Sequence, residues 1–226
     1  MPHPKKLDTM TLGDIAANIP GATAVFRRHD LDFCCAGNQS FRDAITRKGL
    51  NHEAVLSELN SLAERNSPTD EALPHTLGIN TTTPELISHI ISRYHDVHRQ
   101  QLPELIRLAA RVEKVHAERR ACPTGLEAHL KDMFQELSIH MEKEEETLFP
   151  MLLSEGSTHV KELVSALENE HKDHGRALLT IRELTNGIQL PENACNTWRA
   201  LYQGLSQLEE DLIQHIHLEN NILFTR

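Results

Sequence analysis

The sequence is poor in the residues that build sheets and interrupt helices. Aromatic residues make up only 4% of the 226 positions, and glycine and proline occur ten times each. Leucine, alanine, glutamate, arginine and lysine dominate instead, which favours helices over sheets. The length fits one good-sized domain, or one domain with a small appendage. We therefore predict an all-α protein.

The chain also lacks long apolar runs, a secretory signal and a basic patch. Without a run of about 18 apolar residues, no membrane association is expected. The first ten residues, MPHPKKLDTM, lack the apolar segment of a signal peptide, so the four cysteines are expected to be thiols in a reducing cytoplasm. A formal charge of −10 makes a nucleic-acid partner unexpected.

Three prolines and five threonines fall in residues 65–84, which predicts a linker there. Short helical patterns precede it and longer ones follow. The predicted organisation is a small helical domain with a vicinal cysteine pair (1–66), a linker (67–83) and a helical bundle (84–226).

Four longer helical patterns with short breaks predict an up-down-up-down four-helix bundle. The predicted helices cover about 83–117, 124–150, 158–185 and 192–226. The capping box Thr124-x-x-Glu127 opens the second helix, and Asn186-Gly187 ends the third. Pro103 is expected to kink or split the first helix, because it removes one backbone hydrogen bond.

Histidine is the residue in excess, with 15 copies, and two histidines belong to a repeated segment. HMEKEEETLF (140–149) and HIHLENNILF (215–224) both read His-x3-Glu-x3-Leu-Phe, 75 residues apart. The apolar positions before each segment advance by three and four. His140, Glu144, His215 and Glu219 therefore lie on the core-facing stripes of the second and fourth helices.

The first and third helices repeat a second pattern, 76 residues apart. His95-x-x-His98 corresponds to His171-x-x-His174, and the apolar positions around them match. The members of each pair lie on nearly the same face, so spacing leaves open which one is a ligand and which one supports it. The pattern predicts two related helical hairpins, each with an inward His helix and an inward His-x3-Glu helix.

Two glutamates in a bundle core indicate a metal site. An unpaired buried carboxylate is costly, and no lysine or arginine shares these stripes to pair with it. Carboxylates and imidazoles that converge in a bundle core commonly hold one or two metal ions. Four histidines and two glutamates shared by two ions leave coordination positions open, unlike a closed structural zinc site. The residues alone leave iron, manganese and zinc as alternatives.

These residues resemble the ligand pattern of hemerythrin-like domains, which are four-helix bundles with a non-haem di-iron centre. Nearly the whole chain, including LDFCCAG, RYHDVHRQQLPELI, KEEETLFPM and HLENNILF, is similar to the repair-of-iron-centres family of bacterial di-iron proteins. The resemblance implies two non-haem iron ions in an oxo- or hydroxo-bridged centre, with both glutamates bridging. The ligands it implies are His95, His140, Glu144, His171, His215 and Glu219.

The chain departs from the related patterns at three points. Gly175 occupies the place of the fifth histidine of respiratory hemerythrins, whose last carboxylate is an aspartate at a spacing of five rather than a glutamate at four. Cys-Cys-Ala-Gly replaces the family's frequent Cys-Cys-Gly-Gly. The first two departures predict a more open centre than that of an oxygen carrier.

The resemblance implies a protein of the nitrosative and oxidative stress response. It would help repair damaged iron–sulfur clusters by donating iron, with damaged iron–sulfur proteins as clients and nitric oxide or O2 as small ligands. Nitric oxide reduction is the enzymatic activity that this centre allows, and the oligomeric state stays open between monomer and homodimer.

The sequence leaves three other functions as alternatives. A gas-binding sensor or carrier is the main alternative. A ferritin-like oxidase uses two Glu-x-x-His motifs, and only Glu168-x-x-His171 fits, since Ser92 precedes His95. A metal-free interaction domain leaves the two core glutamates unexplained.

The adjacent Cys34 and Cys35 allow two interpretations. They can hold a metal or react as thiolates, or they can pack as small apolar residues beneath Phe33. The family resemblance favours a functional thiol pair in iron handling or redox exchange. Cys122 and Cys195 are isolated in the sequence, and no role is expected for them. The remaining histidines of the bundle are predicted to face solvent: His89, His116, His129, His159 and His217.

Overall fold

The computed structural model describes residues 7–65, 81–154 and 160–226. Within these ranges all regular structure is helical apart from a single bridge between Thr11 and Ser40, which confirms the all-α prediction. None of the helices in these ranges is long and apolar enough to cross a membrane. The predicted linker and His159 fall mostly or wholly outside the described residues.

The contacts divide the chain into two units, Met1–Thr82 with Gln214–Arg226 and Thr83–Ile213. The first unit therefore combines the N-terminal helices with the last thirteen residues. The predicted domain limits, which assign these thirteen residues to the bundle, stay a prediction.

Short helices build the N-terminal part of the first unit. They are α1 (Leu12–Asn18), α2 (Ala22–Arg28), α3 (Phe41–Lys48) and α4 (His52–Arg65). Thr11 and Ser40 cap α1 and α3 by accepting the backbone N–H groups of Asp14 and Asp43. The side chains of Phe26, Phe33 and Phe41 are buried and form much of the core of this unit.

Three of the bundle helices contain a π-helical turn. Helix α5 comprises Thr83–Ile90, the turn Ile91–His95 and Asp96–His116. Helix α6 comprises Leu126–Lys143, the turn Glu144–Leu148 and Phe149–Leu153. Helix α7 is the uninterrupted Val160–Leu184. Helix α8 comprises Asn196–Leu218 and the turn Glu219–Leu223, and its residues from Gln214 onward belong to the first unit.

Side-chain contacts in Thr83–Ile213 close these helices into a ring of four. Helix α5 meets α6 through Arg99–Glu145, and α6 meets α7 through Lys143–Glu170. Helix α7 meets α8 through Arg182–Glu209, and Gln101 of α5 donates to the carbonyl of Gly204 in α8. A closed ring of four helices is the arrangement that the predicted four-helix bundle requires.

The predicted capping box of α6 is wrong, and so is a split of α5 at Pro103. The cap of α6 is supplied by Glu113 of α5, whose carboxylate accepts the N–H groups of Gly125 and Glu127, so Thr124 forms no capping box. Pro103 does not split α5, which runs without a break from Asp96 to His116 with Leu102 and Leu105 buried beside the proline, and the predicted kink stays a prediction.

The predicted start of α8 near Glu192 is four residues early. The carbonyls of Glu192 and Asn193 accept hydrogen bonds from Arg119, and Asn193 has a φ of 59°. This turn holds the backbone out of helical geometry until Asn196. The predicted end of α7 is confirmed, since Asn186 and Gly187 both have positive φ after the helix ends at Leu184.

Candidate metal centre

Glu144 is the centre of a buried histidine cluster in the unit Thr83–Ile213. Its carboxylate is fully buried, as are the imidazoles of His95 and His171, while that of His140 is 1% exposed. One oxygen, Oε2, lies 3.4 Å from Nε2 of His95. The other, Oε1, lies 3.4 Å from Nε2 of His140 and 3.8 Å from Nε2 of His171.

A π-helical turn starts at Glu144 and brings its carboxylate into this cluster. In a π-helical turn the backbone hydrogen bonds join residues five apart instead of four, and such turns occur frequently at functional sites. His95 ends the corresponding turn in α5. Helix α7 has no such turn, and its histidines lie on a regular buried face.

Two carboxylates hold the histidine rings by their outer nitrogens. Glu145 lies 2.6 Å from Nδ1 of His95, and Glu170 lies 2.9 Å from Nδ1 of His140. Each carboxylate also binds a cation, Arg99 for Glu145 and Lys143 for Glu170. Both histidines therefore direct Nε2 into the cluster, which is the arrangement that metal-binding histidines commonly show.

The charges around these carboxylates keep them ionised. Burial raises the pKa of Glu145, but hydrogen bonds from His95 and Arg99 outweigh this effect and lower it overall. For Glu170, burial is likewise outweighed by the hydrogen bonds from Lys143 and His140, so its pKa is also lowered. An ionised acceptor at Nδ1 favours the tautomer whose Nε2 lone pair is available for a metal.

The repeated pair, His215 and Glu219, is buried in the first unit. Nε2 of His215 lies 3.0 Å from Oε1 of Glu219, and the two side chains are 1% and 0% exposed. Glu219 starts a π-helical turn, as Glu144 does 75 residues earlier. The two copies of the sequence repeat therefore share a π-helical turn at the same position.

The donor set fits a metal such as iron. Among the described residues, neither oxygen of Glu144 has a hydrogen-bond partner, although burial of an unsatisfied carboxylate is costly. Its neighbours are imidazole nitrogens, and ligand atoms of His140, Glu144 and His171 all lie within 4.8 Å of one another. Imidazole and carboxylate together suit iron, manganese and zinc.

The second histidine of each His-x-x-His pair is also buried. His98 is 0% exposed and His174 is 3% exposed, and the ring of His174 lies 4.8 Å from that of His140. In the part of the chain that the structure describes, neither belongs to a cluster of ligand atoms within 4.8 Å, whereas His95 and His171 do. The choice of the first member of each pair stays a prediction.

The prediction that His217 faces solvent is wrong. It is 1% exposed, packs edge-on against Phe33 at 5.3 Å and lies 3.1 Å from the Asn221 amide. Burial lowers its pKa to about 4. Phe33, which covers the ring, lies far from His217 in the sequence, so the helical position of His217 could not indicate its burial.

Three other histidines and one cysteine also have partners that the sequence did not indicate. His89 is half-buried against Tyr94, and His129 lies 2.9 Å from the carbonyl of Ala177. Nε2 of His116 lies 3.2 Å from Sγ of the exposed Cys195. The contacts of His116 and His129 link residues far apart in the sequence, whereas His89 and Tyr94 lie in the same helix, α5.

Comparisons with known proteins agree with this geometry. The family described as Hemerythrin HHE cation binding domain matches residues 86–226, and a Domain of Unknown function, DUF542, matches residues 8–63. The iron-sulfur cluster repair protein YtfE of Dickeya chrysanthemi (strain Ech1591) is 46% identical over 216 residues, 96% of this chain and 95% of that protein. The chain belongs to the family of these iron-sulfur cluster repair proteins, which includes a Hemerythrin HHE cation binding domain.

Two further relatives carry the same name. The Citrobacter koseri protein is 45% identical over 217 residues, 95% of this chain and 94% of the relative. A protein from Escherichia coli O17:K52:H18 is 44% identical over 215 residues, again 95% of this chain and 94% of the relative. The resemblance drawn from the sequence motifs is thereby confirmed, and the HHE match suggests a non-haem iron site among the buried histidines and glutamates.

Proposed function

We propose that this protein helps repair damaged iron–sulfur clusters by donating iron from a labile non-haem di-iron centre. The proposed ligands are His95, His140, Glu144, His171, His215 and Glu219. The buried carboxylate of Glu144 carries the proposal, since its neighbours in the cluster are imidazole nitrogens rather than the cationic side chain that a buried carboxylate otherwise requires.

The orientation of Glu144 supports a pair of ions rather than one. Its two oxygens face different histidines, Oε2 facing His95 and Oε1 facing His140 and His171. A carboxylate that bridges two ions needs this division of its oxygens. Glu219, at the equivalent place in the repeat, is proposed as the second bridge, with His215 as a ligand beside it.

The ligand count supports an exchangeable centre. Six protein ligands shared by two ions leave positions for small molecules, and Gly175 supplies no further histidine. When bound, the iron would offer open sites for nitric oxide or O2, and it would be the substrate transferred to a client. The chain's own contribution is to hold neutral imidazoles at fixed orientation through Glu145 and Glu170.

The biological setting forms part of the same proposal. Clients would be iron–sulfur proteins damaged by nitric oxide or oxidants, and the location would be a reducing cytoplasm. The cysteines support this location, since none of the four, all of which lie in the described ranges, forms a disulfide. The names of the relatives favour repair over a gas-binding sensor or carrier.

A reactivation assay tests this function. An iron–sulfur enzyme inactivated by nitric oxide is incubated with the iron-loaded protein, with the metal-free protein or with iron-loaded Glu144→Gln. We expect recovery only with the iron-loaded wild type and with Glu146→Gln, a matched control at an exposed position of the same turn. Equal recovery with the metal-free protein would contradict iron donation.

A further inference from the structure

A second group of metal-ligand side chains lies in the loop after α2. Sγ of Cys34 is 3.7 Å from Sγ of Cys35 and 3.4 Å from Oδ1 of Asp32. Ligand atoms of all three residues lie within 4.8 Å of one another. This group uses none of the six residues proposed for the di-iron centre.

The distance between the two sulfurs fits chelation of one cation. A disulfide requires about 2.05 Å, so the thiols are not bonded to each other. Two thiolates bound tetrahedrally to one ion at about 2.3 Å each would lie roughly 3.8 Å apart. The observed 3.7 Å needs almost no adjustment of the side chains.

Further contacts hold the loop in this arrangement. Oδ1 of Asp32 accepts the N–H groups of Cys35 and Ala36, and the Cys34 carbonyl accepts hydrogen bonds from the side chains of Asn220 and Asn221. Asn221 also donates to the carbonyl of Phe33 at 3.1 Å. The sulfurs and the carboxylate are therefore held together before any ion arrives, which lowers the entropy cost of binding.

The charges of the group favour a cation. Proximity to Cys35, burial and the carboxylate of Asp32 raise the pKa of Cys34 well above its ordinary value. Three acidic groups so close together repel one another when ionised, and a bound cation removes that repulsion as it displaces the thiol protons.

We propose that Asp32, Cys34 and Cys35 form a second metal site that binds one thiophilic divalent cation, of the class of Zn²⁺ or Fe²⁺. Two thiolates and one carboxylate provide three ligands and leave the fourth tetrahedral position open. The site is suited to transient binding and exchange rather than to a closed structural role. Binding releases thiol protons and involves no oxidation or reduction.

Cobalt(II) is the probe that separates this site from the proposed di-iron centre. Thiolate-to-cobalt charge transfer absorbs in the near ultraviolet, and a centre of histidines and glutamates contributes nothing to that band. Full-length protein, already loaded with iron and kept reduced, is titrated with Co²⁺. We expect a thiolate band that saturates at about one cobalt per chain and is abolished by excess Zn²⁺.

Matched variants assign the ligands. The double variant Cys34→Ser/Cys35→Ser should lose the band, whereas Cys122→Ser/Cys195→Ser should keep it. Asp32→Asn should weaken cobalt binding roughly 10-fold or more, since even residues outside the ligand shell change affinity by that amount. Circular dichroism of each variant verifies that the helices are intact.

Three results would overturn the proposal. They are the absence of a thiolate band in the wild type, its loss in Cys122→Ser/Cys195→Ser, and unchanged cobalt affinity in Asp32→Asn. None of these results bears on iron content or cluster repair, so the proposed function is tested separately.

Discussion

At the scale of single residues, the buried carboxylates explain most of the site's chemistry. Glu144 and Glu219 are both 0% exposed in a protein whose other acidic side chains are largely at the surface or paired. The His-x3-Glu spacing was sufficient to place them on buried stripes. It could not reveal Glu145 and Glu170, because side chains that support ligands carry no spacing signal of their own.

Removing a supporting carboxylate should weaken iron binding without removing a ligand. In Glu145→Gln or Glu170→Gln the outer nitrogen of His95 or His140 loses its charged acceptor, so we expect iron affinity to fall roughly 10- to 100-fold. Iron retained during dialysis against graded chelator concentrations measures the change. Glu146→Gln is the control, and its iron retention should match the wild type. Wild-type affinity in both supporting variants would refute their role.

His217 should contribute to stability rather than to metal binding. His217→Ala removes a fully packed ring beside Phe33, and we expect a loss of about 2 kcal/mol or more in the free energy of unfolding. Chemical denaturation measures the loss, with Gln207→Ala at an exposed position of α8 as the control. A change within 0.5 kcal/mol, as for a typical surface substitution, would show that the ring is not packed.

At the scale of the elements, the sequence predicted the helices well and their ends less well. Amphipathic periodicity depends on each helix alone, so α5 to α8 could be recognised without their neighbours. The cap of α6 depends on Glu113 of α5, and the delayed start of α8 depends on Arg119. Folding brings both side chains to these positions from elsewhere in the sequence. The π-helical turns likewise leave no composition signal, although two of them start at the repeated glutamates.

One ion pair fastens α8 to α5 and should be measurable. Arg93 donates to Asp211, whose side chain is 4% exposed, whereas Arg107 and Glu104 pair on the open surface of α5. Arg93→Ala leaves a buried carboxylate unpaired and should cost about 1–3 kcal/mol of stability, whereas Arg107→Ala should cost clearly less because solvent screens its pair. Urea denaturation of both variants compares them, and equal losses would contradict this ranking.

The loop after α2, which contains Cys34 and Cys35, should be intolerant of a methyl group at Gly37. A Cβ there would lie 2.6 Å from the Phe33 carbonyl and 2.2 Å from Oδ1 of Asn221, which is too close for either to stay in place. We expect Gly37→Ala to destabilise the protein by about 1–3 kcal/mol and to accelerate hydrogen exchange in the loop. Asn38→Ala, at an exposed position of the same loop, is the control. Wild-type exchange in Gly37→Ala would show that the loop is not held by these contacts.

At the scale of the whole molecule, the repeat indicates two related hairpins that form one bundle. The two family matches, 8–63 and 86–226, fall on either side of the predicted linker. The sequence could not indicate that Gln214–Arg226 contacts the N-terminal helices. The composition of a linker shows where two helical regions are separated along the chain, but it does not show which residues meet after folding. Asn220 and Asn221, which follow Glu219 directly, make this connection through the carbonyls of Phe33 and Cys34.

Iron content of the full chain, purified without oxygen, tests the proposed centre most directly. We expect about two iron ions per chain, with the Mössbauer spectrum of a coupled non-haem pair. After dialysis against a chelator, Glu144→Gln and Glu219→Gln should each retain clearly less iron than the wild type and Glu146→Gln, because each loses a negative bridge between two cations. Iron near one per chain, a preference for zinc, or equal iron retention by the wild type and both bridge variants would contradict a di-iron centre held by these glutamates.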